Sequence, residues 1–268
     1  MVAIDHKGDE LVGILVIKCG GSIINELSES FFTSVKELQS RGYQIVFVHG
    51  GGPDINSMLE KFEIEPVFED GLRKTTADVL EVVELMLAGK SNRCLVHKLE
   101  EHGIKAVGLN GSDGGILTGN FIDEKKLGAV GEIHQVDTEL LELLFEKGYC
   151  PVLTPISCTA NGDKLNVNAD MAAGSVAKAL SAEMCLFVTD VKGVMKDHQI
   201  IEKLSEAETQ ALIADGSIYG GMIPKVNTAL SVLDKGVEEV MIVSGKDLFY
   251  ENGQFIGTKF LQKEGVFK

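Results

Sequence analysis

Cysteine is scarce and unpatterned in this chain. Cys19, Cys94, Cys150, Cys158 and Cys185 are odd in number, widely scattered and form no C-x-x-C pair, so neither a disulfide framework nor a zinc site is indicated and buried free thiols are expected. Long apolar runs are missing too. None approaches the roughly 18 residues needed to span a bilayer, and the run at 11–17 follows Asp5, Asp9 and Glu10 rather than a basic leader, so a cytoplasmic protein is expected. Positive charge is in deficit: 25 Lys and Arg stand against 40 Asp and Glu, a formal net charge of −15. Long-range repulsion therefore disfavours nucleic acid and anionic membrane as partners, and an anionic small molecule would need locally concentrated cations.

Several catalytic signatures are absent as well. The hydrolase motif G-x-S-x-G does not occur; its nearest approach, Asn110-Gly111-Ser112-Asp113-Gly114, lacks the first glycine. Gly89-Lys90-Ser91 looks like the tail of a P-loop, but Glu84 occupies the position of the required first glycine. The spacing of Val79, Val82, Val83, Met86 and Leu87 makes that segment a helix end with ordinary polar residues. A G-x-G-x-x-G fingerprint after the first strand and an H-E-x-x-H zinc motif are also missing.

What remains is ample for one large domain, or for two lobes sharing a sheet, since 44% of 268 residues are hydrophobic. Short β-rich runs alternate with helix-period segments, the pattern of an α/β protein with a mostly parallel sheet covered by helices. Strands are predicted at 11–17, 43–48, 104–109, 151–156, 184–189 and 239–243. Helices are predicted with Leu27, Phe31, Val35 and Leu38 on one face, from Pro53 onward, near 76–88, 90–101, 138–147 and 171–180, after the capping box Ser205-x-x-Glu208, and from near Lys225. Asn161-Gly162 marks a hairpin. No linker divides the chain.

Two glycine turns fall at the carboxyl ends of strands, where ligands bind in open α/β sheets. Lys18-Cys19-Gly20-Gly21-Ser22 combines backbone N–H groups, a helix N-terminus and an ammonium, an anion-binding arrangement; a tight turn with Lys18 reaching solvent is the alternative. His49-Gly50-Gly51-Gly52 is either a phosphate nest or an oxyanion hole, and His49 itself reads as a structural hydrogen-bonding residue. Gly71-Leu72-Arg73-Lys74-Thr75 offers a guanidinium able to clamp a carboxylate, or merely a surface arginine. Asn166-Val167-Asn168-Ala169-Asp170 suits holding polar substrate groups, or capping a helix at Asp170. Asp190-Val191-Lys192-Gly193-Val194 and the 216–224 loop could surround a nucleotide, and Lys225, opening a helix against the macrodipole, calls for an anion.

In order, these segments together with Gly221-Met222-Ile223-Pro224-Lys225 resemble the amino acid kinase family, and within it the branch that phosphorylates acetylglutamate; the resemblance covers essentially the whole chain. It implies a three-layer α-β-α sandwich around a central, mainly parallel open sheet. It further implies a single domain, 1–268, whose N-terminal lobe (about 1–180) takes N-acetyl-L-glutamate and whose C-terminal lobe (about 181–268) takes ATP with Mg²⁺. By resemblance Lys18 and Lys225 neutralise the transferring phosphoryl group and Asp170 holds both ammonium groups. Gly51, Gly52, Arg73 and Asn166 bind acetylglutamate. Gly20 and Gly21 contact the phosphates, and Asp190, Val191, Lys192, Gly193, Val194, Met195, Ser217, Ile218 and Tyr219 contact the nucleotide. No residue is implied as a direct metal ligand. Only seventeen residues precede Lys18, fewer than the N-terminal helix of arginine-inhibited hexameric members needs, so an arginine-insensitive homodimer is expected. A sister kinase acting on another carboxylate or a carrier-bound aminoadipate, and a non-catalytic metabolite sensor, are the alternatives.

Overall fold

Alternation along the buried strands sets up the whole architecture. In the strand Gly13–Cys19, Leu15, Ile17 and Cys19 point to one face of the sheet and Val16 to the other, because successive side chains of a strand face opposite ways. Strand Tyr43–His49 repeats this with Ile45 and Phe47 against Val46 and Val48. Both faces are apolar, so both must be covered. A computed structural model describes residues 12–197 and 199–261 and shows how. On one face lie the helices Glu139–Glu146, Ala169–Ala179 and Met222–Asp234; on the other lie Glu29–Ser40 and Asn92–Glu101. The result is the expected three-layer sandwich.

The central sheet runs in the order Lys203–Ser205, Thr258–Leu261, Glu239–Ser244, Met184–Thr189, Gly13–Cys19, Tyr43–His49, Cys150–Thr154, Ala106–Asn110. Every pairing is parallel except that of Glu239–Ser244 with Thr258–Leu261. Gly13–Cys19 pairs with Tyr43–His49 on one side and Met184–Thr189 on the other, so strand order reverses there. A crevice opens outside the carboxyl ends at such a switch point. Cys19 is in register with both His49 and Val188, which brings the residues after all three strands to one level.

Several expectations are corrected. The segments at 76–88 and 90–101 are not two helices parted at Gly89. Ala77–Glu84 runs through a π-helical turn, Leu85–Ser91, into Asn92–Glu101, so Gly89-Lys90-Ser91 lies inside a continuous helical run. The glycine-rich stretch after Asn110 holds two strands, Leu117–Phe121 and Val130–Val136. They close a four-stranded barrel with Ile156–Cys158 and Lys164–Val167, the last two being the arms of the Asn161-Gly162 hairpin. Gly119 and Asn120 mask the first of these strands, since neither residue favours strand. The strand read at 151–156 is divided by Pro155 between sheet and barrel. The helix read from Lys225 begins at Met222, with Pro224 tolerated in its first turn, where no backbone donor is lost. Asn168, not Asp170, caps Ala169–Ala179, its side chain accepting from the N–H of Asp170 and Met171. The capping box at Ser205 is present as read. Of the seventeen residues before Lys18, read as too few for an extra helix, 1–11, including the Leu11 of the first predicted strand, lie outside the described residues.

Of the five free thiols expected to be buried, Cys19, Cys150 and Cys185 are, while Cys94 and Cys158 are half-buried; burial pushes the Cys19 and Cys150 thiols up to about 12. One polar anchor sits among them. Ser34 is fully buried; its Oγ donates to the Tyr250 carbonyl at 3.1 Å and accepts from the N–H groups of Phe249 and Tyr250, tying helix Glu29–Ser40 to the chain after the last parallel strand. Ser34→Ala leaves three buried backbone groups unpaired, and urea denaturation is expected to show a loss of about 1–3 kcal/mol. An unchanged unfolding midpoint would contradict this assignment.

Candidate active site

The site is built where the two glycine turns meet. A Cβ placed on Gly21 would lie 2.7 Å from the Cα of Gly51 and 2.9 Å from the N of Gly52, closer than side-chain carbons approach, so the turns pack backbone on backbone. Gly51 is hemmed in from behind: its Cβ would meet Leu87 and Ser91 of the π-turn at 2.8 and 2.9 Å. Gly52 faces open space. Among the described residues the N–H groups of Gly20, Gly21, Gly51 and Gly52 have no backbone or side-chain acceptor.

His49, below the second turn, is buried and structural. The amide nitrogen of Asn92 can only donate, and it lies 3.1 Å from His49 Nε2, so that nitrogen accepts and Nδ1–H donates to the Gly50 carbonyl at 3.0 Å. Asn92 spends its other N–H on the Val152 carbonyl. Burial lowers the imidazole to about 4, leaving it neutral at pH 7.

On one side of the turns is a cavity of about 240 Å³ lined by Lys18, Gly20, Ser22, Asp170, Thr189, Asp190, Lys225 and Thr228 among others. Lys18 Nζ sits 2.7 Å from Asp170 Oδ1, a partly buried pair. Lys225 Nζ does not join it: the ammonium lies 2.6 Å from Asp190 Oδ1, and that hydrogen bond holds the Asp190 carboxyl below its usual range. The expectation that Asp170 holds both lysines thus describes one of them here. The reason is position, since Lys225 is one residue past the first helical turn's Pro224 and faces the loop after strand Met184–Thr189.

On the other side is a cavity of about 210 Å³, whose walls include Gly50, Gly51, Gly52, Ile55, Phe68, Arg73, Leu87, Asn166, Asn168 and Asp170. Arg73 comes from the short hairpin Phe68–Glu69 and Leu72–Arg73, is 9% exposed, and lies under the Phe68 ring at 4.6 Å. Its Nη2 donates to Asn56 Oδ1 at 2.6 Å, whereas Nη1 is buried without a partner. Burial lowers the Arg73 pKa without threatening its charge. Asn166 Nδ2 donates to Thr75 Oγ1, which in turn donates to the Arg73 carbonyl, fixing the amide beside the guanidinium. Asp170 belongs to both cavities.

The structure therefore gathers Lys18, Gly20, Asp170, Asp190 and Lys225 at one cavity and Gly51, Gly52, Arg73 and Asn166 at the other. Gly21 forms the contact between them. The remaining nucleotide candidates are elsewhere. Lys192 pairs with Asp247 at 3.1 Å, Met195 is exposed in a short strand, and Gly193 and Val194 turn inward, the N–H of Val194 reaching Thr258 Oγ1. Val191 closes a turn on Thr189 Oγ1. Ser217 is half-buried with its N–H on Asp215, Ile218 is in the core, and Tyr219 is 75% exposed. Thr228, Asn56 and Phe68 were missed. Thr228 had a signal, since it follows Lys225 by three residues on one helix face; Asn56 and Phe68 had none.

Comparison with known proteins settles the family. The sequence profile of the amino acid kinase family matches residues 13–244. The chain belongs to the amino acid kinase family. It is 51% identical over 253 residues to an acetylglutamate kinase of Bacillus licheniformis, covering 94% of this chain and 98% of that one, and 49% identical over the same length to that of Bacillus subtilis. A crystal structure from Streptococcus mutans UA159 superposes with a TM-score of 0.79 at 31% identity, covering 92% of this chain and 98% of that chain. Carbamate kinase from Giardia shares the fold alone, with a TM-score of 0.63 at 15% identity over 93% of this chain and 98% of that one.

In this kinase-family fold the neutral, buried His49 makes stability depend on pH in a definite direction. An unfolded histidine binds its proton near 6.5 and the folded one only near 4, so between these values the unfolded chain holds more protons. This contribution is present above pH 6.5 and is lost as pH falls toward 4, by roughly 3 kcal/mol in all. Urea midpoints measured across that window are expected to fall less steeply in His49→Gln than in the wild type; parallel profiles would contradict a buried neutral imidazole.

Proposed function

We propose that this chain transfers the terminal phosphoryl group of MgATP to the side-chain carboxylate of N-acetyl-L-glutamate, giving the acyl phosphate, the second step of arginine biosynthesis. The observation that carries the reading is the shared wall at Asp170. One cavity presents an unpaired buried guanidinium nitrogen and free glycine N–H groups, suited to a carboxylate; the adjoining one presents two ammonium groups, suited to phosphates. The likeness to the Bacillus acetylglutamate kinases supports the choice of acceptor.

On this reading Arg73, Asn166, Gly51 and Gly52 bind acetylglutamate in the 1–180 lobe, and the 181–268 lobe carries ATP. Gly20 and Gly21 offer N–H groups to phosphate oxygens, and the rest of the nucleotide extends past Asp190, out of that cavity, toward the segments from Val191 to Met195 and from Ser217 to Tyr219. Lys18, oriented by Asp170, and Lys225 stabilise the charge spread over the phosphoryl oxygens in flight. The acceptor carboxylate is ionised at neutral pH, so no general base is required, and the neutral His49 is not asked to be one. Asp170 and Asp190 are already engaged by ammonium groups; Mg²⁺ would be held mainly by phosphate oxygens and water, reducing repulsion between two anionic substrates. The homodimer and the cytoplasmic location are proposed on family membership alone.

With hydroxylamine as trap, purified protein, MgATP and acetylglutamate are expected to yield a hydroxamate. Hydroxamate from aspartate or glutamate but not from acetylglutamate would overturn the acceptor. Lys225→Ala is expected to lower kcat by about 10²-fold or more while sparing acetylglutamate binding, and Arg73→Ala to weaken that binding.

A further inference from the structure

Gly89-Lys90-Ser91, dismissed above as a false P-loop, has a place in the acceptor cavity's construction. Helix Gly52–Lys61 starts at Gly51 with no side-chain cap, and Asp54 occupies its third position. A carboxylate there is placed to fold back onto the free N–H at the start of the helix, as the acidic partner of a capping box does. Asp54 does not. Its Oδ1 lies 2.8 Å from Lys90 Nζ and its Oδ2 accepts from Ser91 Oγ at 2.8 Å. Both partners belong to the π-helical turn Leu85–Ser91, whose Leu87 and Ser91 also press against Gly51. Burial pushes the Asp54 carboxyl up, and the Lys90 and Ser91 hydrogen bonds together outweigh it, so the group stays below its usual value and ionised. Without a partner it would be a resident anion next to a nest meant for another.

We infer that Lys90 and Ser91 are positioning residues: the π-turn pulls the Asp54 carboxylate off the Gly51 and Gly52 N–H groups and balances its charge, keeping that nest open for the acceptor's anionic group. The inference rests on the acetylglutamate reading for the identity of the acceptor. It makes the two members of one ion pair unequal. Losing Lys90 releases an uncompensated carboxylate beside the site, whereas losing the charge of Asp54 removes the competitor.

The test is a four-way comparison of wild type, Lys90→Met, Asp54→Asn and the double variant by initial rates, with acetylglutamate and ATP varied separately. Lys90→Met is expected to raise the acetylglutamate KM about three- to tenfold, with kcat and the ATP KM within about twofold, since the added repulsion acts on acceptor binding. Raising ionic strength should shrink that difference. Asp54→Asn is expected to leave the acetylglutamate KM within about twofold of wild type or lower it, and the double variant to recover most of what Lys90→Met loses. Thermal melts of all four check folding. Equal penalties from the two single variants, a double variant no better than Lys90→Met, or a penalty insensitive to salt would overturn the inference and leave an ordinary structural salt bridge. If the wild type instead phosphorylates another carboxylate, the acceptor assignment fails, and the same four-way comparison with that acceptor decides the role of Asp54. A wild type that phosphorylates no carboxylate overturns both.

Discussion

The backbone contact between the Gly20-Gly21 and Gly50-Gly51-Gly52 turns is the constraint on which the rest of the site depends. Adjacent parallel strands bring their ends to within about 5 Å of each other, and here Cys19 and His49 end in register, so the two turns leave the sheet side by side. A side chain on Gly21 would occupy the space of the Gly51 backbone and pry the turns apart. Their closeness is what makes two cavities share a wall instead of lying on separate parts of the sheet edge. It also puts the unbonded N–H groups of two turns within one region, a concentration of partial positive charge that neither turn has alone.

Full positive charge is then added sparingly. In a chain of net charge −15 the lysines at the site are each met by a carboxylate: Lys18 by Asp170, Lys225 by Asp190, and Lys90 by Asp54; Arg73 is met instead by the Asn56 amide. An ammonium left bare at a glycine turn beside a helix N-terminus would be repelled by the same partial charges that attract an anion. Pairing makes the unliganded site tolerable, and its cost on ligand binding depends on how deeply each pair is buried.

Much of this was legible in the sequence, for reasons that can be traced to particular residues. The two glycine turns stood out because each follows a strongly apolar strand and precedes a helix-period run, so neighbours three to seven residues away fixed their placement. Arg73, Asn166 and Asp170 were legible only as an ordered set, since alone a surface arginine and a helix cap explain them equally well. The barrel was not legible: its pairings, such as Asn166 with Val130, join residues far apart in sequence, and Gly119 with Asn120 weakens the local strand pattern. The π-turn was misread because a one-residue slip in helical hydrogen bonding leaves the apolar spacing before it intact. The partner of Lys225 could not be foreseen, for several carboxylates were within reach and only tertiary geometry selects Asp190.

The two lysines proposed to meet the phosphoryl group differ in a way that bears on how an anion could be taken up. Lys18 and Asp170 have side chains 15% and 25% exposed, so separating them would leave charge poorly solvated on the floor between the cavities. Lys225 and Asp190 are 30% and 60% exposed, and pairs so open to water contribute about 0–1 kcal/mol. Exchanging Asp190 for a phosphate oxygen at Lys225 therefore forfeits little, because water and the oxygen together replace what the carboxylate supplied. Exchanging Asp170 at Lys18 would forfeit more. One lysine is a fixed part of the wall and the other is loosely held, and the difference follows from burial alone, with both side chains carrying the same charge.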